Sequence, residues 1–226
     1  MKISAIIPAA GTGSRFGGEK QLKLLGRRPL LFHTIQPFLA LDEISEIVVS
    51  VPADHIKQLE RELHSFTSSK PIKVVGGGER RQDSVFEGLK AADENSELIL
   101  IHDAVRPFVS RAVIQEAVEA CKFHDAVVVA LPAKDTIKQV MGNQIIATLP
   151  RNEIWLAQTP QVFMRSVLKE ALELAQKQGI EGTDEAVLAE RLGYQVGIIK
   201  GSPLNIKITT AEDWIFAEAI YADLEK

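Results

Sequence analysis

Between Ile6 and Gln21 the chain reads I-I-P-A-A-G-T-G-S-R-F-G-G-E-K-Q, with four glycines, Gly11, Gly13, Gly17 and Gly18, and two cations, Arg15 and Lys20. Glycine lets backbone N–H groups turn toward a ligand without a side chain in the way. Backbone donors set among fixed positive charges make a phosphate cradle. The spacing excludes two familiar kinds. A dinucleotide fingerprint counted from Gly11 and Gly13 meets Phe16 where its third glycine belongs. A Walker loop counted from Gly13 to Gly18 meets Glu19 instead of lysine. A tight turn between strand and helix would account for the glycines, but not for Arg15 and Lys20.

Two further segments carry the same type of chemistry. Gly76–Ser84, G-G-G-E-R-R-Q-D-S, is a second glycine cluster, followed by Arg80, Arg81 and Ser84 at the start of a helical pattern. The positive end of such a helix suits a phosphate or a base edge. His102–Pro107, H-D-A-V-R-P, places Asp103 directly after an apolar strand. A lone carboxylate beside phosphate-binding loops suits Mg²⁺, which keeps water and substrate phosphates as its other ligands. The alternative is that Asp103 and Arg106 pair with each other and cap local backbone. His102, closing a buried strand, reads as a packed and hydrogen-bonded histidine rather than a catalytic one.

The elements that must hold these loops are legible as an alternation of strands and helices. Continuous apolar runs predict strands at Ile3–Pro8, Glu46–Val51, Ile72–Val75, Leu98–His102 and Ala126–Leu131. Runs such as L-I-L-I and A-V-V-V-A-L imply burial on both faces, as in a parallel sheet between helix layers. Helices are expected at Leu30–Leu41, Ala53–His64, Arg81–Ala92 and Arg111–His124, the last with Ser110 as N-cap. This order predicts a doubly wound α/β fold with a mostly parallel sheet, in which ligands sit beyond the carboxyl ends of the strands.

The pattern changes near Lys134. D-T-I-K-Q-V and Q-I-I-A-T-L flank Met141-Gly142-Asn143 and read as a β-hairpin. A lone hairpin buries too little to stand alone, so residues 134–152 are expected to form an arm that packs on a partner. The alternative is an edge hairpin of the main sheet. Beyond it, helices are expected at Arg165–Gln178, Asp184–Leu192 and Ala211–Leu224, with strands at Gln195–Lys200 and Asn205–Ile208. The whole of 1–226 is taken as one domain.

Composition narrows the partners. The chain has 226 residues, 46% hydrophobic and 25% charged, with a net charge of -4, as expected of an ordinary globular protein. A mildly acidic chain is a poor nucleic-acid binder. An apolar run of about twenty residues and a leader sequence are both lacking, so a cytoplasmic location off the membrane is expected. Cys121, the single cysteine, falls in an apolar helical pattern and reads as a core thiol.

Taken in order, P-A-A-G-T-G-S-R-F-G…K-Q, G-G-G-E-R-R-Q-D-S-V, H-D-A-V-R-P, D-T-I-K, P-R-N-E-I-W…Q-T-P-Q-V-F, T-D-E-A and N-I-K-I-T resemble the 2-C-methyl-D-erythritol 4-phosphate cytidylyltransferases. These motifs run from Pro8 to Thr209, nearly the whole chain. The resemblance implies that CTP and methylerythritol phosphate give the CDP-alcohol and pyrophosphate, on the non-mevalonate route to isoprenoids, with a divalent cation such as Mg²⁺. It implies catalytic roles for Arg15, Lys20 and Lys207, and a metal carboxylate at Asp103. Pro8, Ala9, Ala10, Gly11, Gly13, Gly78, Arg81, Ser84 and Ala104 would surround the nucleotide. Arg106, Thr136, Arg151, Thr159 and Thr183 would take methylerythritol phosphate. In the family the hairpin arm crosses to a second subunit of a homodimer, so Thr136 and Arg151 would serve the neighbour's site.

Two positions depart from the pattern. Glu19 stands where some relatives carry proline, and Leu204 rather than a second acid precedes Asn205. A two-carboxylate metal site is therefore not evident, and Asn205 would offer only a weak or indirect contact. The nearest alternative function is a cytidylyltransferase for ribitol 5-phosphate or another polyol phosphate. Broader sugar-nucleotide pyrophosphorylases would lack H-D-A-V-R-P with the arm, and a non-catalytic nucleotide sensor would have no need of Lys20, Asp103 and Lys207 together.

Overall fold

The computed structural model describes residues 1–11, 16, 20–64 and 70–225. Eleven strands and seven α-helices follow in chain order among them. They run β1 (Ile3–Pro8), β2 (Leu24–Leu25), β3 (Arg28–Pro29), α1 (Leu30–Leu39), β4 (Ile44–Val51), α2 (Ile56–His64), β5 (Ile72–Gly76), α3 (Arg81–Ala91) and β6 (Leu98–Ile101). There follow α4 (Arg111–Ala120), β7 (Ala126–Pro132), β8 (Ile137–Met141), β9 (Gln144–Leu149), β10 (Trp155–Met164), α5 (Arg165–Gln178), α6 (Ala186–Arg191), β11 (Val196–Lys200) and α7 (Ala211–Leu224).

Seven strands form the central sheet in the order β11-β7-β10-β6-β1-β4-β5. The period-two alternation of each strand sorts its side chains into two apolar layers. Ile3, Ala5 and Ile7 of β1, with Leu98 and Leu100 of β6, pack against α1, α2 and α4 through Ile35, Phe38, Leu59 and Ile114. Ile6, Ile99 and Ile101 face the other way, toward Val85 of α3, Leu168 and Leu172 of α5, and Leu188 of α6. Both faces are therefore covered, which is why the strand sequences are apolar without interruption. A third cluster, Leu25, Leu30, Ile208, Trp214 and Ala217, seats α7 on the β2–β3 ribbon.

The parallel pairs β1–β4, β1–β6, β4–β5 and β7–β11 match the expected doubly wound plan. Helix ends are shorter than the sequence pattern suggested. Ala53–His55 is a 3₁₀ turn before α2, and α4 stops at Ala120, with the Ser110 side chain accepting from the Val113 amide as its N-cap.

Two differences matter for the site. β10, read from sequence only as a motif, runs antiparallel between β6 and β7. Its period is broken at Gln158-Thr159-Pro160, where the register shifts between Ala157 and Gln161 and a proline lacks an N–H for the ladder. Conversely, Asn205–Ile208 is not a strand. Its alternation reflects Ile206 and Ile208 both packing on the third cluster, with Lys207 between them facing the cleft.

β8 and β9 pair only with each other. Gly142, at φ 57°, supplies the left-handed turn between them. The edge-strand alternative is thus excluded. Val140, Met141, Ile145 and Ile146 stand exposed on this hairpin.

One buried polar cluster knits the sheet to its helix layer. Glu46 on β4, 4% exposed, accepts from Ser4 Oγ at 2.6 Å, the Asp93 amide at 2.5 Å and Lys73 Nζ at 2.8 Å. Burial pushes this carboxyl up, but the Asp93 amide, Lys73 and Ser4 together hold it below its ordinary value. Glu46→Ala leaves those donors unsatisfied and should lower the unfolding free energy by about 2–4 kcal/mol. Urea denaturation at neutral pH measures this, and an unchanged midpoint would show that the cluster adds nothing.

Candidate functional site

The carboxyl ends of β1, β5 and β6 open onto one cleft of about 280 Å³. Pro8–Gly11, Lys20 and Gln21 form one wall, Gly78–Arg81 with Ser84 the second, and Asp103–Val105 the floor, while Lys207 enters from the segment before α7. The walls meet closely because side chains are missing where they touch. A Cβ on Gly77 would collide with Ala10 and crowd Ser84 Oγ at 2.9 Å, and one on Gly78 would collide with Asp83. Ser84 Oγ accepts from the Gly78 amide at 3.2 Å, so the second glycine loop is folded back on α3. Buried Gln21 ties Lys20's 3₁₀ turn to the first loop, donating to the carbonyls of Ala9 (3.2 Å) and Gly11 (3.3 Å). Phe16 packs on the Trp214 cluster, its ring 5.8 Å from the indole.

Asp103 is the electrostatic centre. It is 6% exposed, with Lys207 Nζ 2.8 Å from Oδ2, Arg81 Nε 2.9 Å from Oδ1 and Arg106 Nε 3.6 Å from Oδ2. Burial alone would raise its pKa, but Arg81, Lys207 and Arg106 outweigh that and hold it ionised, well below the usual carboxylate range. Asp103 and Arg106 do pair, yet at the longest of the three distances. Arg81 reaches on to Glu185, both of whose oxygens accept from Nη1, at 2.9 and 2.6 Å. Burial pushes Glu185 upward despite Arg81.

Behind Asp103 lies a closed ring of hydrogen bonds. Arg106 Nη1 donates to the Asn205 carbonyl at 2.8 Å, and Asn205 Nδ2 to the Thr159 carbonyl at 2.8 Å. The Asp103 amide donates to Thr159 Oγ1 at 3.0 Å, and because His102 Nε2 faces a carbonyl that can only accept, Nδ1 of the neutral ring accepts from the Thr159 hydroxyl, also at 3.0 Å. His102 Nε2–H then closes the ring on the Arg106 carbonyl at 2.9 Å. The ring fixes His102 as the neutral Nε2–H tautomer and brings Lys207, two residues past Asn205, to the cleft. Asn205 is therefore a buried brace and not a cleft ligand. Cys121 is buried in the core, its thiol pushed up to about 11 by burial.

A family model for 2-C-methyl-D-erythritol 4-phosphate cytidylyltransferase matches residues 3–223. The chain belongs to that family. It is 43% identical over 228 residues to the Halalkalibacterium halodurans member, covering 100% of both chains. It is 45% identical over 224 residues to the Geotalea uraniireducens member, covering 97% of this chain and 96% of the other. The crystal structure of 4-diphosphocytidyl-2C-methyl-D-erythritol synthase from Anaerococcus prevotii superposes with a TM-score of 0.87 at 34% identity, over 99% and 96% of the two chains. The Thermus thermophilus cytidylyltransferase gives 0.79 at 34%, over 98% and 100%.

The described residues that the family resemblance singled out fall into four groups in space. Pro8, Ala9, Ala10, Gly11, Lys20, Gly78, Arg81, Ser84, Asp103, Ala104 and Lys207 share the cleft. Arg106 and Thr159 are buried in the ring behind it. Thr183 lines an adjoining hollow of about 420 Å³, which also includes Arg81. Thr136 and Arg151 are exposed at the base of the hairpin, where Arg151 Nη1 donates to the Lys134 carbonyl at 2.8 Å. Gly13 and Arg15 lie outside the described residues. Sequence reasoning missed Gln21 and Gln158, whose amides brace the loops, and Glu185. Only the T-D-E-A motif marked Glu185, and it read as the start of a helix.

Among the described residues no group of three or more His, Cys, Asp or Glu is placed to hold a metal ion. A Mg²⁺ would have Asp103 as its single protein ligand, with water and phosphate oxygens at its other positions, and would replace Lys207 Nζ on Oδ2. Lys207 is 40% exposed and reaches Oδ2 from the open side of the cleft.

Complete burial drives His102 down to about 4, well below its ordinary 6.5. The unfolded chain then binds one proton more than the native between these values, so stability is full above 6.5 and falls as pH drops toward 4. Imidazole ¹⁵N spectra should show an unchanging neutral Nε2–H ring from about pH 5.5 to 8, whereas an ordinary His titrates near 6.5. A titrating signal for His102 would break the ring assignment.

Proposed function

We propose that this chain joins CTP and 2-C-methyl-D-erythritol 4-phosphate to give 4-diphosphocytidyl-2-C-methyl-D-erythritol and pyrophosphate. The family match over residues 3–223 carries this reading, and the cleft supports it. Gly11 and Gly78 line the cleft without side chains that would block a nucleotide, and its cations surround the buried carboxylate of Asp103.

The reaction needs no general base, because the substrate phosphate is already an anion near neutral pH. One of its oxygens attacks the α-phosphorus of CTP in line. The new O–Pα bond forms as the bond from Pα to the β-phosphate bridging oxygen breaks, and pyrophosphate leaves with the electron pair. The barrier is repulsion between two polyanions and the charge that develops on the departing group. On this reading Lys20 and Arg15 hold the triphosphate and stabilise the leaving charge, while Lys207 steadies the incoming phosphate. Pro8, Ala9, Ala10, Gly11, Gly13, Gly78, Arg81, Ser84 and Ala104 seat the nucleotide. A Mg²⁺ held by Asp103 would neutralise phosphate charge.

Arg106, Thr159 and Thr183 belong to the methylerythritol phosphate side, completed by Thr136 and Arg151 from the arm of a second subunit. Support for a homodimer comes from the hairpin itself, which leaves Val140 at 58%, Met141 at 71% and Ile145 at 58% exposure. Apolar groups presented together on a projecting hairpin call for a partner surface. No helix among the described residues is long and apolar enough to cross a membrane.

Pyrophosphate release from CTP, Mg²⁺ and a panel of polyol phosphates tests the activity. Turnover with methylerythritol phosphate and none with ribitol 5-phosphate is expected, and the reverse would overturn the substrate assignment. Lys20→Ala should fold normally and lose on the order of 10²–10³ in kcat, as when one preorganised donor is removed. Mixing inactive Lys20→Ala and Arg151→Ala proteins in equal amounts, after unfolding and refolding together, should restore about a quarter of wild-type activity. Half of the dimers are then mixed, each with one intact composite site. No recovery would place Arg151 in its own subunit's site.

A further inference from the structure

Glu185 is the carboxylate that the chemistry above leaves unused. It is 1% exposed, at the entry to α6, and its side-chain partner is a cleft residue, Arg81, 104 positions away in sequence. Burying a carboxylate costs several kcal/mol before any pairing. A residue needed only for packing at this point would do as well with an apolar side chain. Its surroundings hold it rigidly, since Asp184 Oδ1 accepts from the Val187 amide, Asp184 Oδ2 accepts from Gln161 Nε2, and the Leu188 amide donates to the Glu185 carbonyl.

The effect falls on how Arg81 meets Asp103. A guanidinium beside a carboxylate prefers to close on it with two parallel N–H bonds. Here it does not. Arg81 gives only Nε to Asp103 Oδ1, its Nη1 is drawn to Glu185, and Asp103 Oδ2 is left to Lys207. Arg81 also stands where the nucleotide cleft meets the hollow beside Thr183, lining both.

We propose that Glu185 is a positioning residue, which draws Arg81 away from two-point closure on Asp103 and so keeps Oδ2 open to Lys207 or an incoming cation and Arg81 at the junction of the two substrate pockets. This rests on the functional reading above. Without Glu185, the Nε and Nη2 edge of Arg81 closes on both Asp103 oxygens, displaces Lys207 and shifts the point where the two phosphates meet.

The test uses full-length Glu185→Gln and, as an apolar replacement that removes the burial cost, Glu185→Met, each alone and combined with Arg81→Met. Rates are taken per folded site, counted by CTP-binding stoichiometry. Either single Glu185 variant should lose about tenfold or more in kcat, with KM for CTP changed less than about threefold. In the Arg81→Met background the same change should have no further effect on kcat, because Glu185 acts through Arg81. Wild-type kcat per site with only a shifted Tm would make Glu185 structural and overturn the proposal. So would a risen KM at unchanged kcat, or losses that add in the double variants. A wild-type protein that binds CTP yet releases no pyrophosphate would instead overturn the functional reading.

Discussion

One buried negative charge, Asp103, organises the cationic site around it. Its ionised carboxylate holds Arg81, Lys207 and Arg106 in one small volume. Those cations would otherwise repel each other and swing to solvent. Arg81, Lys207 and Arg106 outnumber Asp103 and Glu185, the two buried carboxylates that pair with them, and the net positive field suits two polyanionic substrates that must be brought together. Asp103 in turn depends on the hydrogen-bonded ring of His102, Arg106, Asn205 and Thr159, because its amide is bonded to Thr159. The neutral state of His102 is part of this arrangement, since a protonated imidazole would have no use for the Thr159 hydroxyl as a donor.

The fold supplies the geometry that charge alone cannot. Parallel strands β1, β5 and β6 end on the same edge of the sheet, so three loops distant in sequence converge there. β10 then enters between β6 and β7 in the opposite direction and delivers Thr159 beside Asp103. Its irregularity at Gln158–Gln161 interrupts the ladder at the level of the site, so Gln158 and Thr159 serve loop contacts instead of strand pairing. α6, in the same helix layer as α3, adds Glu185 beside Arg81. The hairpin of β8 and β9 contributes nothing to this core. Its exposed apolar side chains are what a second subunit is proposed to cover.

Much of this was readable from sequence because it follows from local chemistry. Uninterrupted apolar strands imply a sheet covered on both faces, and β1, β4, β5, β6 and β7 occur where those runs lie. The hairpin was equally clear from Met141-Gly142-Asn143 between two alternating segments. Lys20, Gly78, Arg81, Ser84 and Asp103 were singled out by their place at strand ends, and they share one cleft. What escaped notice did so for physical reasons. β10 carries Pro160 and a register shift, so its period fades even though its neighbours hold it in the middle of the sheet. Asn205–Ile208 alternates like a strand, because Ile206 and Ile208 both pack on the third cluster while Lys207 between them turns to the cleft.

The sequence by itself determined the fold class, the family and the set of glycine- and cation-bearing loops, since these depend on short-range patterns of glycine, charge and hydrophobicity. Tertiary structure decided which charges meet. Glu185 and Arg81 are 104 residues apart, and Lys207 and Asp103 come from segments on either side of β10. No periodicity encodes such pairings. They exist because the sheet order brings those strand ends together, and because a buried carboxylate must find its cations there to remain ionised.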